Sequence, residues 1–381
     1  GRFVVNNHGM CEKVTRGLTA AAYSLLKDVF AYPVINSSVF FLDDFPSPVP
    51  MGNGEYIRKY FGRDISSFYS NIWWPDMLKI AEKHGVRYTG VVIEDYSERT
   101  SGNFPRTTDT ERFRYFGGLL LEKGGEIGIH GYNHMPLCPD GFDFLGKVDY
   151  ETWPTANDMR SAIAELMDFT KTLFPKNTIS TYVPPSNILS AEGRAMLAES
   201  FPEIRTLSGV FLKEDYEYEQ EFCVSDDGIV ELPRIISGAI LDPYMRWAAF
   251  NELNFQYVNS HFIHPDDVLD EDRGAALGWN TLRDNLDGYM DWLYGVAPGL
   301  RNQTAAEASR AVQRYDCLTV DRTLENGVYR LNLQGFADEA YLLLRLDGRC
   351  QKITGGSLEQ VNGSLYVLRA TAPEVTVVLA S

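Results

Sequence analysis

Two imidazoles four residues apart stand at the end of a short apolar run in Glu126-Ile-Gly-Ile-His-Gly-Tyr-Asn-His134. Two adjacent carboxylates end a second run, Val39-Phe-Phe-Leu-Asp-Asp44, and a further pair of histidines ends a third, Ser260-His-Phe-Ile-His264. Four of the six histidines therefore fall in two short segments. A zinc-type divalent ion takes neutral imidazole nitrogen and an anionic oxygen at about 2.0–2.2 Å, with one position left open for water. His130, His134 and one of the two aspartates supply that set. Adjacent carboxylates cannot both serve one ion and also do other work, so Asp44 is read as the ligand. Asp43 is then free to take a proton from a water that the metal makes more acidic. A leaving amine needs a proton donor, and His264, at a strand end and followed by Pro265, suits that task near neutral pH. His261 alternates with His264 in direction along an extended strand and is expected to be structural.

Each of the three runs reads as a buried strand that delivers its reactive residues at the C-terminal end, where α/β barrels keep their chemistry. Expected strands at 34–42, 86–93, 125–129, 178–183, 204–207, 228–236 and 257–263 alternate with expected helices at 13–30, 73–84, 110–123, 157–174, 191–200 and 279–294. That alternation predicts an α/β barrel. Phe45-Pro-Ser-Pro-Val-Pro50 excludes both helix and central strand, so the chain is expected to cross the mouth as an extended loop. The aromatic-rich loop from Tyr132 to Pro154 leaves two readings open: Tyr132, Phe142, Phe144, Tyr150 and Trp153 line a sugar groove, or they pack beneath the loop. From about Arg314 short alternating runs are separated by Asn-Gly, Asp-Gly and Gly-Gly, which predicts a small all-β module. The expected division is a segment 1–33 packing on the barrel, a barrel 34–298, and a linker with a C-terminal β-sandwich at 299–381.

The 381 residues suffice for one barrel of roughly 250 residues and a smaller module. A formal net charge of −17 argues against nucleic acid or an anionic membrane surface as a partner and is compatible with a neutral or cationic ligand such as an amino-sugar polymer. Five cysteines, an odd number without C-x-x-C spacing, read as ordinary thiols. No apolar run reaches the ~18 residues of a membrane span. The chain starts at Gly1 without a signal-like segment and is read as a fragment of a longer protein. His8 is expected to have a surface or capping role, and His84, just before Gly85, to cap a helix. The acidic run 214–221 reads as a solvated loop.

The ordered set Phe41-Leu-Asp-Asp44, His130-Gly-Tyr-Asn-His134, Tyr182-Val-Pro-Pro185 and Phe262-Ile-His264 resembles the NodB-type polysaccharide deacetylases, carbohydrate esterase family 4, over about residues 34–295. The resemblance implies a distorted (β/α)7-like barrel that removes acetyl groups from sugar polymers. It implies Asp43 as base, Asp44, His130 and His134 as ligands of a divalent metal (zinc, or alternatively cobalt or nickel), and His264 as acid. Tyr132, Pro185 and Ser186 are expected on the substrate side. The third family motif, Arg-x-Pro-x-Gly, departs here: Val183-Pro-Pro-Ser-Asn187 lacks the Arg that holds the catalytic Asp. Arg234, in Leu232-Pro-Arg-Ile-Ile236, is the candidate to reach across in its place. Within the family, the Pro-Pro-Ser-Asn stretch, His264-Pro-Asp-Asp267 and the appended β-module are similar to the deacetylase part of PelA-type proteins, which modify the exopolysaccharide Pel. That implies an extracellular or cell-surface enzyme acting on poly-N-acetylhexosamine beside other exopolysaccharide-machinery proteins. The rival expectation is a carbohydrate-binding domain that has lost turnover with the missing Arg. A glycosidase would need a second, facing carboxylate.

Overall fold

The computed structural model describes residues 2–7, 9, 12–46, 54–212 and 217–380. His8, Cys11, the proline loop beyond Pro46 and residues 214–216 of the acidic run lie outside the described residues. In chain order the strands are β1 (Val29–Val34), β2 (Ser37–Phe45), β3 (Tyr88–Val92), β4 (Glu126–Ile129), β5 (Thr181–Tyr182) and β6 (Thr206–Leu207). They continue as β7 (Cys223–Val224), β8 (Val230–Glu231), β9 (Ile236–Ser237) and β10 (Val258–Ile263). The C-terminal part adds β11 (Thr319–Glu325), β12 (Val328–Gln334), β13 (Ala340–Leu346), β14 (Cys350–Thr354), β15 (Gly356–Asn362), β16 (Leu365–Ala370) and β17 (Glu374–Leu379).

A nine-stranded sheet in the order β7-β8-β6-β5-β4-β3-β2-β10-β9 forms the centre, parallel except at the β7–β8 pair. Its two ends meet in one stretch of chain. The amides of Leu232 and Arg234 donate to the carbonyls of Leu207, at the end of β6, and Gly209, just beyond it, whereas that of Ile235 donates to Ser260 in β10. Residues 230–237 thus leave one edge and join the other, which curls the sheet into the distorted seven-position barrel expected from the sequence. β2 is buried along its whole length, as a parallel strand covered on both faces must be. Helices such as Glu111–Glu122, Ala156–Leu173 and Trp279–Val296 turn apolar faces to the sheet. No helix among the described residues is long and apolar enough to cross a membrane.

The expected first barrel strand at 34–42 is two strands. Asn36 adopts a left-handed conformation with φ 54°, which an Asn side chain tolerates, and so breaks the run before β2 starts at Ser37. The part before the break, β1, pairs antiparallel with β13 instead. The C-terminal module is accordingly two four-stranded sheets, β1-β13-β16-β15 and β11-β12-β17-β14, sharing a core of Ala31, Leu331, Leu342, Leu344, Leu368 and Val377. The expected helix 13–30 ends at Ser24, before β1. Residues 299–314, expected to be a linker, contain most of a helix, Ala305–Asp316, opened by a capping box of Thr304 and Glu307.

Candidate active site

The two aspartates end β2 at a bulge. The β2–β3 register shifts between Leu42 and Phe45, and Asp44 takes a left-handed conformation with φ 53°. A regular strand would send adjacent side chains to opposite faces; the bulge lets both carboxylates face the barrel mouth. His130 follows directly on β4, and Gly131 then turns the chain at φ 87°. A Cβ at position 131 would meet Pro185 Cγ at 2.9 Å, which is why the hydroxyl residue of the resembled motif has no room here. His134 sits at φ 59°, and the two imidazoles end with ring centroids 5.1 Å apart.

Both Nε2 atoms converge on one oxygen, Asp44 Oδ1, at 3.4 Å from His130 and 3.6 Å from His134. Donors bound to a tetrahedral ion at 2.0–2.2 Å stand about 3.3–3.6 Å from one another, so this spacing fits such an ion. Asp44 Oδ1 is buried without a hydrogen-bond partner, as an oxygen reserved for a cation is. The far nitrogens are occupied: His130 Nδ1 lies 2.8 Å from the Val183 carbonyl, and His134 Nδ1 lies 3.1 Å from the Tyr150 hydroxyl, itself 2.6 Å from Ser186 Oγ. Donation by Nδ1–H to Val183 leaves the His130 Nε2 lone pair facing Asp44. Burial pushes both imidazoles down to about 4, so both are neutral at pH 7. A second cluster, His84 with Asp287 and Asp291, has one imidazole and two carboxylates, and Lys83 stands 2.8–2.9 Å from both carboxylates.

Asp43 is held from the other side. Arg234 Nη1 donates to its Oδ2, Arg234 Nη2 donates to Asn187 Oδ1, and Arg234 Nε donates to the Gly209 carbonyl at 3.3 Å. The guanidinium also lies over the Phe262 ring, 4.2 Å from its centroid. Arg234 reaches this spot because it stands where the chain passes from the β6 edge to β10. Burial raises the Asp43 carboxyl, but the positive charges of Arg234 and, less, His264 outweigh it and hold the group below the usual range. Its second oxygen, Oδ1, makes no hydrogen bond and remains an available acceptor.

His264 Nε2 is 3.8 Å from Asp43 Oδ2, and its Nδ1 is 3.6 Å from Asp267 Oδ1. Burial lowers its pKa, but Asp267, Asp44 and Asp43 overcome that and raise it to about 9. These residues, with Ser186, Asn187 and Arg273, line one cavity of about 420 Å³.

Two expected substrate contacts lie elsewhere. Tyr132 is buried against Phe104, and its hydroxyl donates to the Pro105 carbonyl, because the Gly131 turn directs it under the loop. Pro185 packs on Gly131 rather than into the cavity. Of the three, Ser186 lines the cavity. His261 points away from it, donating Nε2–H to the Gly238 carbonyl at 2.7 Å. Asn187 and Asp267 were not singled out as site residues by sequence reasoning, and Tyr150 was named there only as groove lining or loop packing, not as a partner of His134. The signals available were an aromatic beside a histidine loop, an Asn where the resembled motif has Gly, and an acidic pair just after His264.

The fold is similar to that of a solved carbohydrate deacetylase. Agd3, a carbohydrate deacetylase, superposes with a TM-score of 0.50 at 11% identity, covering 97% of this chain and 69% of its own. A Mycobacterium smegmatis protein assigned as a polysaccharide deacetylase gives 0.45 at 15% identity, with 73% and 90% covered. A carbohydrate esterase family 4 pseudoenzyme from Bacillus anthracis gives 0.39 at 12%, with 73% and 66% covered. No curated protein matches in sequence. The chain belongs to the family described as "Uncharacterised protein conserved in bacteria (DUF2194)", whose model matches residues 1–367.

Proposed function

We propose that the chain is a metal-dependent deacetylase that hydrolyses the acetamide of N-acetylhexosamine units in a polysaccharide. The observation that carries this reading is the convergence of the His130 and His134 Nε2 atoms on the unpartnered Asp44 oxygen, next to a separately anchored Asp43. Asp44, His130 and His134 would hold a divalent ion, zinc by its donor set. Bound there, the ion supplies Lewis acidity toward a carbonyl oxygen and makes water a better nucleophile at neutral pH.

The chain's own groups do the rest. Asp43 accepts the water proton at Oδ1, with Arg234 keeping the carboxylate ionised and fixed in direction. His264, charged below pH about 9, donates a proton to the departing sugar amine. The pair is electrostatically consistent, since each favours the charged form of the other. The ground for a catalytically silent barrel was the missing third-motif Arg, and the contact of Arg234 with Asp43 supports its replacement from another strand. A polymeric substrate of this kind would suit an extracellular or cell-surface enzyme.

Acetate release is the test. Protein stripped with chelator and reloaded with zinc, cobalt or nickel is given N-acetylglucosamine and N-acetylgalactosamine oligomers. Metal-dependent release, lost in Asp43→Asn, is expected. Oligomer binding without release by any loaded form would sink the hydrolase reading and favour a binding domain.

A further inference from the structure

At the end of the barrel opposite the catalytic groups lies a second groove, of about 790 Å³. It is lined where adjacent parallel strands begin: Arg87 precedes β3, Gly125 precedes β4, Ser180 precedes β5 and Arg205 precedes β6. Asp44 and His130 stand at the other ends of β2 and β4, and the two cavities share no residue. The helix Ala305–Asp316 supplies a further wall, from which Ala306, Ser309, Arg310 and Gln313 face the groove at helical spacing.

In a chain of net charge −17 this groove is a cationic exception. Arg87 is neutralised by Glu307, whose two oxygens accept from it at 2.9 and 2.6 Å. The other acid of the wall, Glu126, is buried, and its oxygens accept from the Thr181 hydroxyl and the Ala306 amide. The side chains of Lys176, Arg205 and Arg310 are exposed and have no hydrogen-bond or ion-pair partner among the described residues. Two of them project from anchored backbone. Asn177, next to Lys176, exchanges two side-chain hydrogen bonds with the Ile127 backbone, and the amides of Arg205 and Thr206 both donate to the Ser180 carbonyl. A separate signal comes from Thr206, which lines the groove, is completely buried, and has a hydroxyl without a hydrogen-bond partner. Buried hydroxyls are nearly always bonded, so this one is free for an oxygen brought in from outside.

We infer that the groove binds an oxyanion of phosphate type, carried by a small phosphorylated ligand or by a phosphate-bearing polymer. Uncompensated like charges gathered in one concavity raise the local potential, and a dianion relieves it. A guanidinium meets two phosphate oxygens with parallel N–H donors, an ammonium adds a point charge, and the remaining oxygens accept from hydroxyls such as that of Thr206. The volume is that of a small-molecule site. The inference stands apart from the deacetylase reading, since it uses none of the same residues.

Calorimetric titration with inorganic phosphate, pyrophosphate and long-chain polyphosphate at constant ionic strength tests it. The chain is used as purified and after stripping with chelator, so that no ion in the catalytic cavity takes the probe. Pyrophosphate is expected to bind both forms, with Kd raised about tenfold in Lys176→Gln and in Arg205→Gln, each of which removes one charge-assisted contact from an exposed position. Thr206→Val is expected to raise Kd several-fold without lowering the melting temperature of the unliganded chain, because its hydroxyl has no partner there to lose. Polyphosphate that binds more tightly than pyrophosphate at equal total phosphate assigns a polymer, and the reverse order assigns a small ligand. No binding of any of the three probes by the wild type, or a Kd unchanged in both Lys176→Gln and Arg205→Gln, overturns the site.

Discussion

Arg234 Nη1 donates to Asp43 Oδ2 although the two residues lie 191 positions apart, and both side chains are almost completely buried. A buried carboxylate is tolerated only with such a partner, because neither charge has water to stabilise it. The pair is therefore both a structural requirement of the mouth and the device that aims Asp43.

Arg234→Ala is expected to lower kcat by about 100-fold with little change in KM, since the group orients the base and does not meet bulk substrate. Stability should fall too, by about 3–5 kcal/mol, because Asp43 is left buried and unpaired. Asn187→Gly separates the two effects. Glycine suits the φ of 59° at that position, so the fold should hold while Arg234 loses one anchor and kcat drops several-fold. Steady-state kinetics with thermal melts on both variants checks this; full activity in Arg234→Ala would refute the aiming role.

Tyr150→Phe deletes the hydroxyl that touches both His134 Nδ1 and Ser186 Oγ. Zinc affinity measured by competition with a chelator should fall about tenfold, with an unchanged melting temperature for the stripped protein. His134→Ala should abolish binding in the same assay, as one of three ligands is lost. Wild-type affinity in Tyr150→Phe would leave His134 without an orienting partner.

The pH profile of kcat/KM should lose activity as pH rises through about 9, where His264 gives up its proton. The sign follows from a pKa raised above the ordinary histidine value: the charged form persists to higher pH and disappears only above it. Asp267→Asn removes the nearest raising charge, so the alkaline limb should move to lower pH while the plateau kcat changes little. Limbs that coincide in the two proteins would detach Asp267 from His264.

Glu94 tests burial away from the centre. Burial pushes this carboxyl up to about 7, with Oε1 accepting from the Thr107 amide at 3.0 Å and Oε2 unpartnered. Its ordinary value is 4.5, so between there and about 7 the folded chain holds a proton that the unfolded chain has lost. Its contribution to stability is thus present at low pH and is lost as pH rises through that window. Glu94→Gln keeps the acceptor and removes the ionisation. Its melting temperature should exceed that of the wild type by about 2 °C or more at pH 8 and match it at pH 4.5. Equal differences at the two pH values would show that the carboxyl is not the cause.

The chemistry most legible in the sequence is local. An aspartate pair ending one apolar run, histidines four apart after another, and His264 ending a third can be read because a strand's exit is written in a few consecutive residues. Hairpin turns such as Asn326-Gly327 and Asn362-Gly363 betrayed the C-terminal strands for the same reason. Side-chain direction in the loops was not legible. Tyr132 turns inward because of the positive φ at Gly131, and Asp44 shares a face with its neighbour because of a bulge that pairing with β3 creates.

What the sequence by itself determined was the set of reactive groups, the order in which strands present them, and the barrel class that alternating strands and helices imply. Tertiary structure alone decided which cation stands against Asp43 and that β1 leaves the barrel for the sandwich. The reason is physical: propensity and periodicity act over a few residues, whereas an ion pair between strands and a shared sheet edge depend on how the whole sheet curls.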